Sequence, residues 1–358
     1  MKPLLSAIFI NPQLALELDS IQWDYLIRQA RNGHVLARLG YLLEEAQLFE
    51  QIPTKPFLHI RSAQTYFERF SISLQREIVI INDVLKSINV PLILLKGSAY
   101  IVQNDTTAKG RVFSDVDILV PEEKLHDVEL ALLKAGWFCN TLDPYDVKYY
   151  RKWMHEIPPL RHLKRQTSID VHHNILPKIT RFCPDAKQLL ANIVKNTEHD
   201  LWVLSPEDRV LHSATHLFHE GDFKYGFRDI SDLDMLLKMF SQQDDFWEKL
   251  LQRAKQLKQS IPLYYALRYT HLILETPIPK KILHLSASQS SMRINTKVMD
   301  SLFLRALLPE HKSCNDRWTG VARWVLFVRS HWLKMPLYLM IPHLLRKTCR
   351  HMLSKERH

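Results

Sequence analysis

Glycine and cysteine are scarce in this sequence, and several common catalytic motifs are missing from it. The 358 residues include eight glycines and four cysteines. The cysteines lie far apart without a CxxC pair, which excludes the usual thiolate metal spacing and, with no signal peptide, predicts a cytoplasmic protein with free thiols. No GxSxG motif, P-loop lysine motif or Cys/His nucleophile pair occurs, so nothing indicates a serine hydrolase or a P-loop enzyme.

The C-terminal stretch 311–358 carries most of the positive charge. It contains ten lysines and arginines against two acidic residues, and so accounts for eight of the ten net positive charges. Its longest uncharged run, residues 335–345, has eleven residues, whereas a helix needs roughly 20 apolar residues to span a bilayer. We interpret this basic amphipathic tail in one of two ways. The tail packs on the body as terminal helices, or it attaches to an anionic membrane surface or to nucleic acid. Attachment to a membrane surface would make the protein membrane-peripheral.

Composition and periodicity predict an α+β fold, with helical regions on both sides of a small mixed β-sheet. The apolar fraction of 46% and the charged fraction of 24% are typical of globular proteins. Apolar residues recur at spacings of three and four up to residue 88 and again after Pro177, which predicts helices. Between them, short aliphatic runs and alternating segments predict strands. The predicted regions are 1–88 (helical), 89–177 (sheet core), 178–310 (helical) and 311–358 (tail).

Three aspartates lie on predicted strands that are otherwise aliphatic. Successive side chains of a strand alternate between faces, so Asp115 and Asp117 project to one side, about 6–7 Å apart along the backbone. Asp170 lies on a later strand, and it joins them if the two strands are neighbours. Three gathered carboxylates repel one another unless a cation neutralises them, and such oxygen ligands select Mg²⁺ or Mn²⁺ over zinc. The pattern predicts a metal site.

A Lys96-Gly97-Ser98 turn joins a predicted strand to a predicted helix. Glycine lets the backbone approach a ligand closely, and the N–H groups at the helix start, with the Ser98 hydroxyl, can hold phosphate oxygens. Lys96 and Arg111 would add positive charge beside a polyphosphate. A metal site next to a phosphate turn suits an in-line displacement at phosphorus, in which two metals ~3.5–4 Å apart assist the attacking and leaving oxygens.

Four segments together resemble an uncharacterised bacterial nucleotidyltransferase family of the DNA polymerase β-like nucleotidyltransferase superfamily. They are LLKGSAY, GRVFSDVDILV, SIDVHHNIL and LSPEDRVLHSATHLFHEGDFKYGFRDISDLDMLL, and the resemblance covers about residues 80–240. The ordered set is specific, whereas a lone Asp-x-Asp would not be. Two features depart from the pattern. The gap between the Gly97-Ser98 pair and the first aspartate is longer than in compact members, and the turn lacks a second glycine.

The resemblance implies a role for each of these residues, with 89–177 as the catalytic core. Asp115 and Asp117 would bind the metals, Asp170 would be the third ligand and activate the acceptor, and the Gly97-Ser98 pair would hold the triphosphate.

Histidines add further candidates around the same site. His172 shares a strand face with the third aspartate, and we expect it to contact the nucleotide or the acceptor. His212 and His216 lie one turn apart on a predicted helix, and we expect them to form a second wall of the substrate site together with Arg228. The spacing of these two histidines with His219 is also compatible with a zinc site.

The sequence therefore predicts a nucleotidyltransferase that depends on Mg²⁺ or Mn²⁺. It would move a nucleoside monophosphate from an NTP, ATP above all, to an unknown acceptor with a hydroxyl group and release pyrophosphate. The alternative is a catalytically silent nucleotide-binding or regulatory protein that retains the same fold. The three mutually repelling carboxylates favour the enzyme, because a binding module has no need to keep them.

Overall fold

Helices form the N-terminal part of the computed structural model, which describes residues 3–139, 143–219, 221–290 and 295–334. Asp19 caps the second helix, where its side chain and that of Gln22 form a reciprocal capping box. The helical prediction for this part is confirmed over the described residues. The helices are α1 (Leu4–Ile10), α2 (Ser20–Asn32), α3 (Leu36–Glu45) and α4 (Thr54–Lys86), with 3₁₀ turns at Pro12–Glu17 and Phe49–Gln51.

A mixed β-sheet lies at the centre of the described chain and confirms the predicted α+β class. Its seven described strands are β1 (Ile93–Leu94), β2 (Asp115–Leu119), β3 (Trp137–Cys139), β4 (Leu160–His162), β5 (Ser168–His172), β6 (Ile193–Asn196) and β7 (Leu201–Leu204). Their order is β3-β4-β5-β2-β1-β7-β6. The β2–β5 and β1–β7 pairs are parallel, and the other four pairs are antiparallel.

Short helices connect these strands and cover the sheet. They are α5 (Lys96–Val102), α6 (Leu125–Lys134), α7 (Pro144–Trp153) and α8 (Ala186–Leu190), with 3₁₀ turns at Thr106–Ala108 and Glu122–Lys124. The long α4 packs on α5 and α6, which joins the N-terminal helices to the sheet. Gly136 ends the α6 segment with a φ of +102°, a left-handed conformation that glycine adopts without the cost of a Cβ.

The sheet continues beyond residue 177, and here the prediction of helix was wrong. Strands β6 and β7 occupy a segment whose apolar residues fit either period, because Ile193 and Val194 continue the spacing of the preceding Leu189 and Leu190. β7 pairs with the buried β1, and this long-range pairing outweighs the local pattern.

The C-terminal helices begin where the sequence predicts, at a serine cap. The Ser205 hydroxyl accepts a hydrogen bond from the backbone N–H of Asp208 at 3.3 Å, and Pro206 is the first helical residue. None of the described helices has the length and apolar character required to cross a membrane. The helices are α9 (Pro206–His219), α10 (Gly226–Phe240), α11 (Phe246–Gln256), α12 (Ser260–Leu274), α13 (Lys280–Gln289), α14 (Thr296–Ala306) and α15 (Thr319–Lys334). Most of the predicted tail, from residue 335 onward, lies outside the described residues.

Strand β2 lies between β1 and β5 and is buried from its second residue onward. Val116, Ile118 and Leu119 are at most 2% exposed. Helix α5 packs on β2, and α9 packs on α5 and β7. The aspartates of β2 therefore lie at the start of a strand whose remainder is held rigidly in the core.

Candidate metal and nucleotide site

The parallel pairing of β2 and β5 brings the three predicted aspartates together. In this register Asp117 is directly opposite Asp170, and Asp115 is opposite Ser168. Asp115 lies close enough to Asp170 to raise the pKa of its carboxyl group, and Oδ1 of Asp115 accepts a hydrogen bond from the Ser114 hydroxyl at 3.1 Å. We call Asp115, Asp117 and Asp170 the acidic cluster. Its geometry follows from two strands that each place their acids on the same face.

Asp117 is held in its ionised form although it is only 8% exposed. Burial alone would raise the pKa of its carboxyl group. The ammonium of Lys96, whose Nζ lies 3.6 Å from Oδ1, and a 3.0 Å hydrogen bond with Nε2 of His172 act in the other direction. Their combined effect, with that of His216, is to hold the pKa of Asp117 well below its ordinary value.

Asp170 has the opposite character. Burial, together with the charges of Asp117, Glu156 and Asp115, raises its pKa to about 9. Without a cation, therefore, the cluster keeps a proton on one of its carboxyl groups, as is usual when like charges share a site. A divalent cation would remove the need for that proton. The residues present fit Mg²⁺ or Mn²⁺, because Asp117 and Asp170 bring carboxylate oxygens together and Asp115 lies on the same strand face. Ligand atoms of Asp117, Asp170 and His172 lie within 4.8 Å of one another.

The turn before α5 is attached to the backbone of the acidic cluster. The N–H of Leu95 donates to the Asp117 carbonyl at 3.0 Å. Lys96 then adopts a left-handed φ of +45°, a costly conformation for a residue with a Cβ and one that clusters at functional sites. This conformation accompanies the placement of its ammonium beside the Asp117 carboxylate. The Ser98 hydroxyl donates to the Leu95 carbonyl at 2.8 Å and is 1% exposed, so its proton serves the turn rather than a ligand.

Gly97 is needed here for packing as well as for any ligand. A Cβ at this position would overlap the Arg111 guanidinium and lie 2.6 Å from the ring of Phe113. Arg111 itself is 5% exposed and donates from Nε to Asp232 at 2.5 Å, beside Arg38, whose Nη2 is 2.7 Å from the same carboxylate. The structure thus places Arg111 in a buried ion pair beneath the turn. Its assignment to the polyphosphate stays a prediction, and the contact it makes in the structure is with Asp232.

His172 contacts the acidic cluster rather than standing apart from it. Its Nε2 bonds Asp117, and its Nδ1 lies 3.2 Å from Oε2 of Glu156. The neighbouring His155 lies with its ring centroid 5.3 Å from that of His172. No sequence pattern indicated His155 and Glu156, because they lie in an irregular segment without periodicity. The sequence feature that could have indicated them is the His-Glu pair itself, which precedes the strand that carries Asp170 and His172.

Helix α9 places His212 and His216 near the acidic cluster. Burial, followed by the charge of Lys96, lowers the pKa of both imidazoles well below the ordinary value, and the charge of Asp117 partly offsets this. Their role as a substrate wall stays a prediction. Arg228 forms an ion pair with Asp229 at 2.8 Å and lies over the ring of Tyr225. The structure places Arg228 on α10, and its part in that wall likewise stays a prediction.

His219 belongs to a different environment from the other two α9 histidines. It lines an apolar cavity of about 570 Å³ with Phe182, Tyr265 and Arg329, between α9, α12, α14 and α15. Its Nδ1 lies 3.2 Å from the Thr215 carbonyl. Among the described residues, the groups able to hold a metal include none of the three α9 histidines. The zinc site compatible with their spacing is therefore not formed.

Comparison with known proteins adds a family to this geometry. A family model described as an uncharacterised nucleotidyltransferase matches residues 19–275. No curated protein and no solved structure matches the chain. The matched range begins at the N-cap of α2 and ends just after α12, so it includes every described strand and extends beyond the four segments on both sides.

Proposed function

The chain belongs to this family of uncharacterised nucleotidyltransferases, and from that premise we propose that it is a Mg²⁺-dependent enzyme. The enzyme would transfer a nucleoside monophosphate from an NTP, ATP in the first instance, to a hydroxyl-bearing acceptor. Mn²⁺ is the alternative cation. We further propose that the fold is that of the DNA polymerase β-like superfamily and that the protein acts in the cytoplasm.

The observation that carries the proposal is the register of β2 on β5. It sets Asp117 opposite Asp170, with Asp115 two residues before Asp117 on the same strand face. A protein that only needed a stable sheet would avoid this arrangement, because the carboxyl groups repel one another and raise the pKa of Asp170. A bound cation, with the phosphates that accompany it, would relieve the repulsion between these carboxyl groups.

The chemistry assigns distinct tasks to the residues of the acidic cluster. Asp115, Asp117 and Asp170 would hold the cation, which when bound stabilises the charge on the phosphoryl oxygens. The acceptor oxygen forms a bond to the α-phosphorus, and the bond from that phosphorus to the oxygen bridging to the β-phosphorus breaks, so that pyrophosphate leaves. Asp170, in its ionised form, accepts the hydroxyl proton.

The turn and the histidines complete the proposed nucleotide site. Lys96 supplies a positive charge next to Asp117 that is suited to the triphosphate. The backbone at Gly97 and Ser98 is proposed to line the phosphate path. His172 orients Asp117, and His212 and His216 supply neutral imidazoles facing the same carboxylate.

The experiment compares two carboxylate variants with a matched surface variant. Asp115→Asn and Asp117→Asn should lower NTP consumption in the presence of acceptor extract by roughly 10³-fold or more, because a catalytic cation contributes several kcal/mol. They should also abolish Mg²⁺-dependent NTP binding in calorimetry. Asp127→Asn, on exposed α6, should behave as wild type. If wild type binds Mg²⁺ and NTP but labels no molecule of any extract, the silent nucleotide-binding alternative replaces the enzyme. Unchanged binding in both site variants would refute the site.

The last described helix supports attachment of the C-terminal tail to an anionic membrane surface. Three tryptophans of the tail, just before and along α15, are each more than half exposed: Trp318, Trp324 and Trp332. Further basic residues of the tail follow α15. Exposed aromatic residues next to basic ones are typical of helices that lie in a membrane interface. Flotation with vesicles of anionic lipid should weaken when the chain is cut after Lys334, which removes five of the tail's basic residues and keeps the three tryptophans. Equal flotation of the shortened chain would exclude this role of the tail.

A further inference from the structure

We propose that His155, Glu156 and His172 form a second metal site, for a divalent transition ion such as Zn²⁺ or Co²⁺, next to the acidic cluster. We call these three residues the histidine group. One ligand atom from each lies within 4.8 Å of the other two. Two imidazole nitrogens and one carboxylate oxygen are a donor set that transition ions favour, whereas Mg²⁺ prefers oxygen ligands alone.

Backbone pairing, rather than chance contact of side chains, holds the histidine group together. Glu156 forms an isolated bridge with His172, and the N–H of His173 donates to the His155 carbonyl at 2.8 Å. The N–H of Ile157 also donates to the Val171 carbonyl at 3.1 Å. The segment that carries two of the ligands is therefore fixed against the end of β5, which carries the third.

The two Nδ1 atoms of the group show the feature that points to a ligand. Both are buried, and neither has a hydrogen-bond partner among the described residues. Nδ1 of His172 does lie 3.2 Å from Glu156, but the contact lacks the alignment of a hydrogen bond. Buried imidazole nitrogens are normally paired, so two unpaired ones beside a carboxylate indicate that something else occupies the space between them.

His172 separates this site from the acidic cluster. When the neutral imidazole of His172 donates its Nε2–H to Asp117, its Nδ1 carries a lone pair. This lone pair is on the side of the ring where His155 and Glu156 lie. A metal-bound histidine that donates its other N–H to a carboxylate is the usual arrangement in proteins, since that carboxylate fixes the ring and increases its basicity.

The test measures metal content and affinity without nucleotide, so that its outcome is independent of nucleotidyl transfer. Wild-type protein, stripped of metal and titrated with Co²⁺ in excess Mg²⁺, should bind one equivalent and show the visible absorption of coordinated Co²⁺. His155→Gln and Glu156→Gln should weaken this binding by at least about 100-fold, while Asp115→Asn leaves it intact. Asp117→Asn should weaken it by roughly 10–100-fold through His172.

Control variants at exposed positions of the same residue types are His126→Gln and Glu123→Gln, which should bind Co²⁺ as wild type does. Circular dichroism and Mg²⁺-dependent NTP binding of His155→Gln establish that the variant is folded. The proposal is overturned if wild type binds no Co²⁺ in excess Mg²⁺, or if folded His155→Gln and Glu156→Gln bind it with unchanged affinity. Loss of Co²⁺ binding in Asp115→Asn alone would place the ion in the acidic cluster and would equally overturn it.

Discussion

Two buried groups of charged residues lie on either side of the turn at Gly97, and they are built on opposite principles. In the paired cluster, Arg38 and Arg111 contact the carboxylate of Asp232, and all three side chains are at most 6% exposed. In the acidic cluster, three carboxylates meet one another, and the pKa of Asp170 is raised as a result. One group joins opposite charges, and the other collects like charges.

The difference shows how a buried charge can serve stability or function. Asp232 lies on α10, Arg38 on α3 and Arg111 before β2, so their ion pairs connect the N-terminal helices, the sheet and the C-terminal helices. Breaking them leaves uncompensated charge in the interior. The acidic cluster contributes no such link, since its repulsion is relieved by a proton or by a cation from outside. Stability and activity should therefore separate when each group is changed.

The largest expected effect is on the stability of the paired cluster. Asp232→Asn should lower the free energy of unfolding by about 3–5 kcal/mol, because it leaves two buried guanidinium groups without their carboxylate. Denaturant unfolding followed by circular dichroism measures this change. Any remaining folded protein should retain Mg²⁺-dependent NTP binding, since the acidic cluster is untouched.

The matched control for this variant is an exposed ion pair of the same chemistry. Asp24 pairs with Arg28 at 2.8 Å on α2, with both side chains more than half exposed. Asp24→Asn should change the free energy of unfolding by less than about 1 kcal/mol. A similar small change in Asp232→Asn would mean that the two clusters do not differ in the way described.

A second, intermediate effect concerns the pH dependence of the acidic cluster without metal. The pKa of Asp170 is raised above its unfolded value of about 3.9, so the folded state holds an extra proton between that value and the folded one. Its contribution is complete at low pH and is lost as pH rises, by at most about 1.4 kcal/mol per pH unit. In chelator, Asp170→Asn should thus become progressively more stable than wild type from pH 5.5 to pH 7.5.

Buried histidines whose pKa is lowered, such as His212 and His216, also make stability depend on pH below their unfolded value of about 6.5, and for that reason the difference between the two proteins is the quantity to measure. Mg²⁺ should reduce the difference, because the cation replaces the proton in wild type. Parallel stability curves for wild type and Asp170→Asn in chelator would show that Asp170 does not carry the extra proton.

The acidic cluster was predictable from sequence to a greater extent than its surroundings. Side chains alternate between the two faces of β2 and β5, and this alternation determines the face on which each aspartate lies. It depends only on neighbouring residues, so it can be recognised in the sequence. The pairing of Arg111 with Asp232 joins residues 121 positions apart, and no local pattern contains it. The position of Glu156 was not predictable either, because it lies in an irregular segment that no local pattern connects to the site. The β6–β7 strands were missed because their apolar spacing also fits a helix.

The smallest expected effect lies at Gly97, in the turn between the two clusters. Gly97→Ala should lower the free energy of unfolding by roughly 1–3 kcal/mol, because the new methyl group must displace the Arg111 guanidinium or the Phe113 ring. Gly320→Ala on α15 is the matched control. Nothing lies within 4 Å of a Cβ there, and alanine favours a helix. NTP binding should weaken only in Gly97→Ala, since the added methyl group lies in the turn that holds Lys96 beside Asp117. Equal stability of both variants would mean that the turn accommodates the methyl group freely.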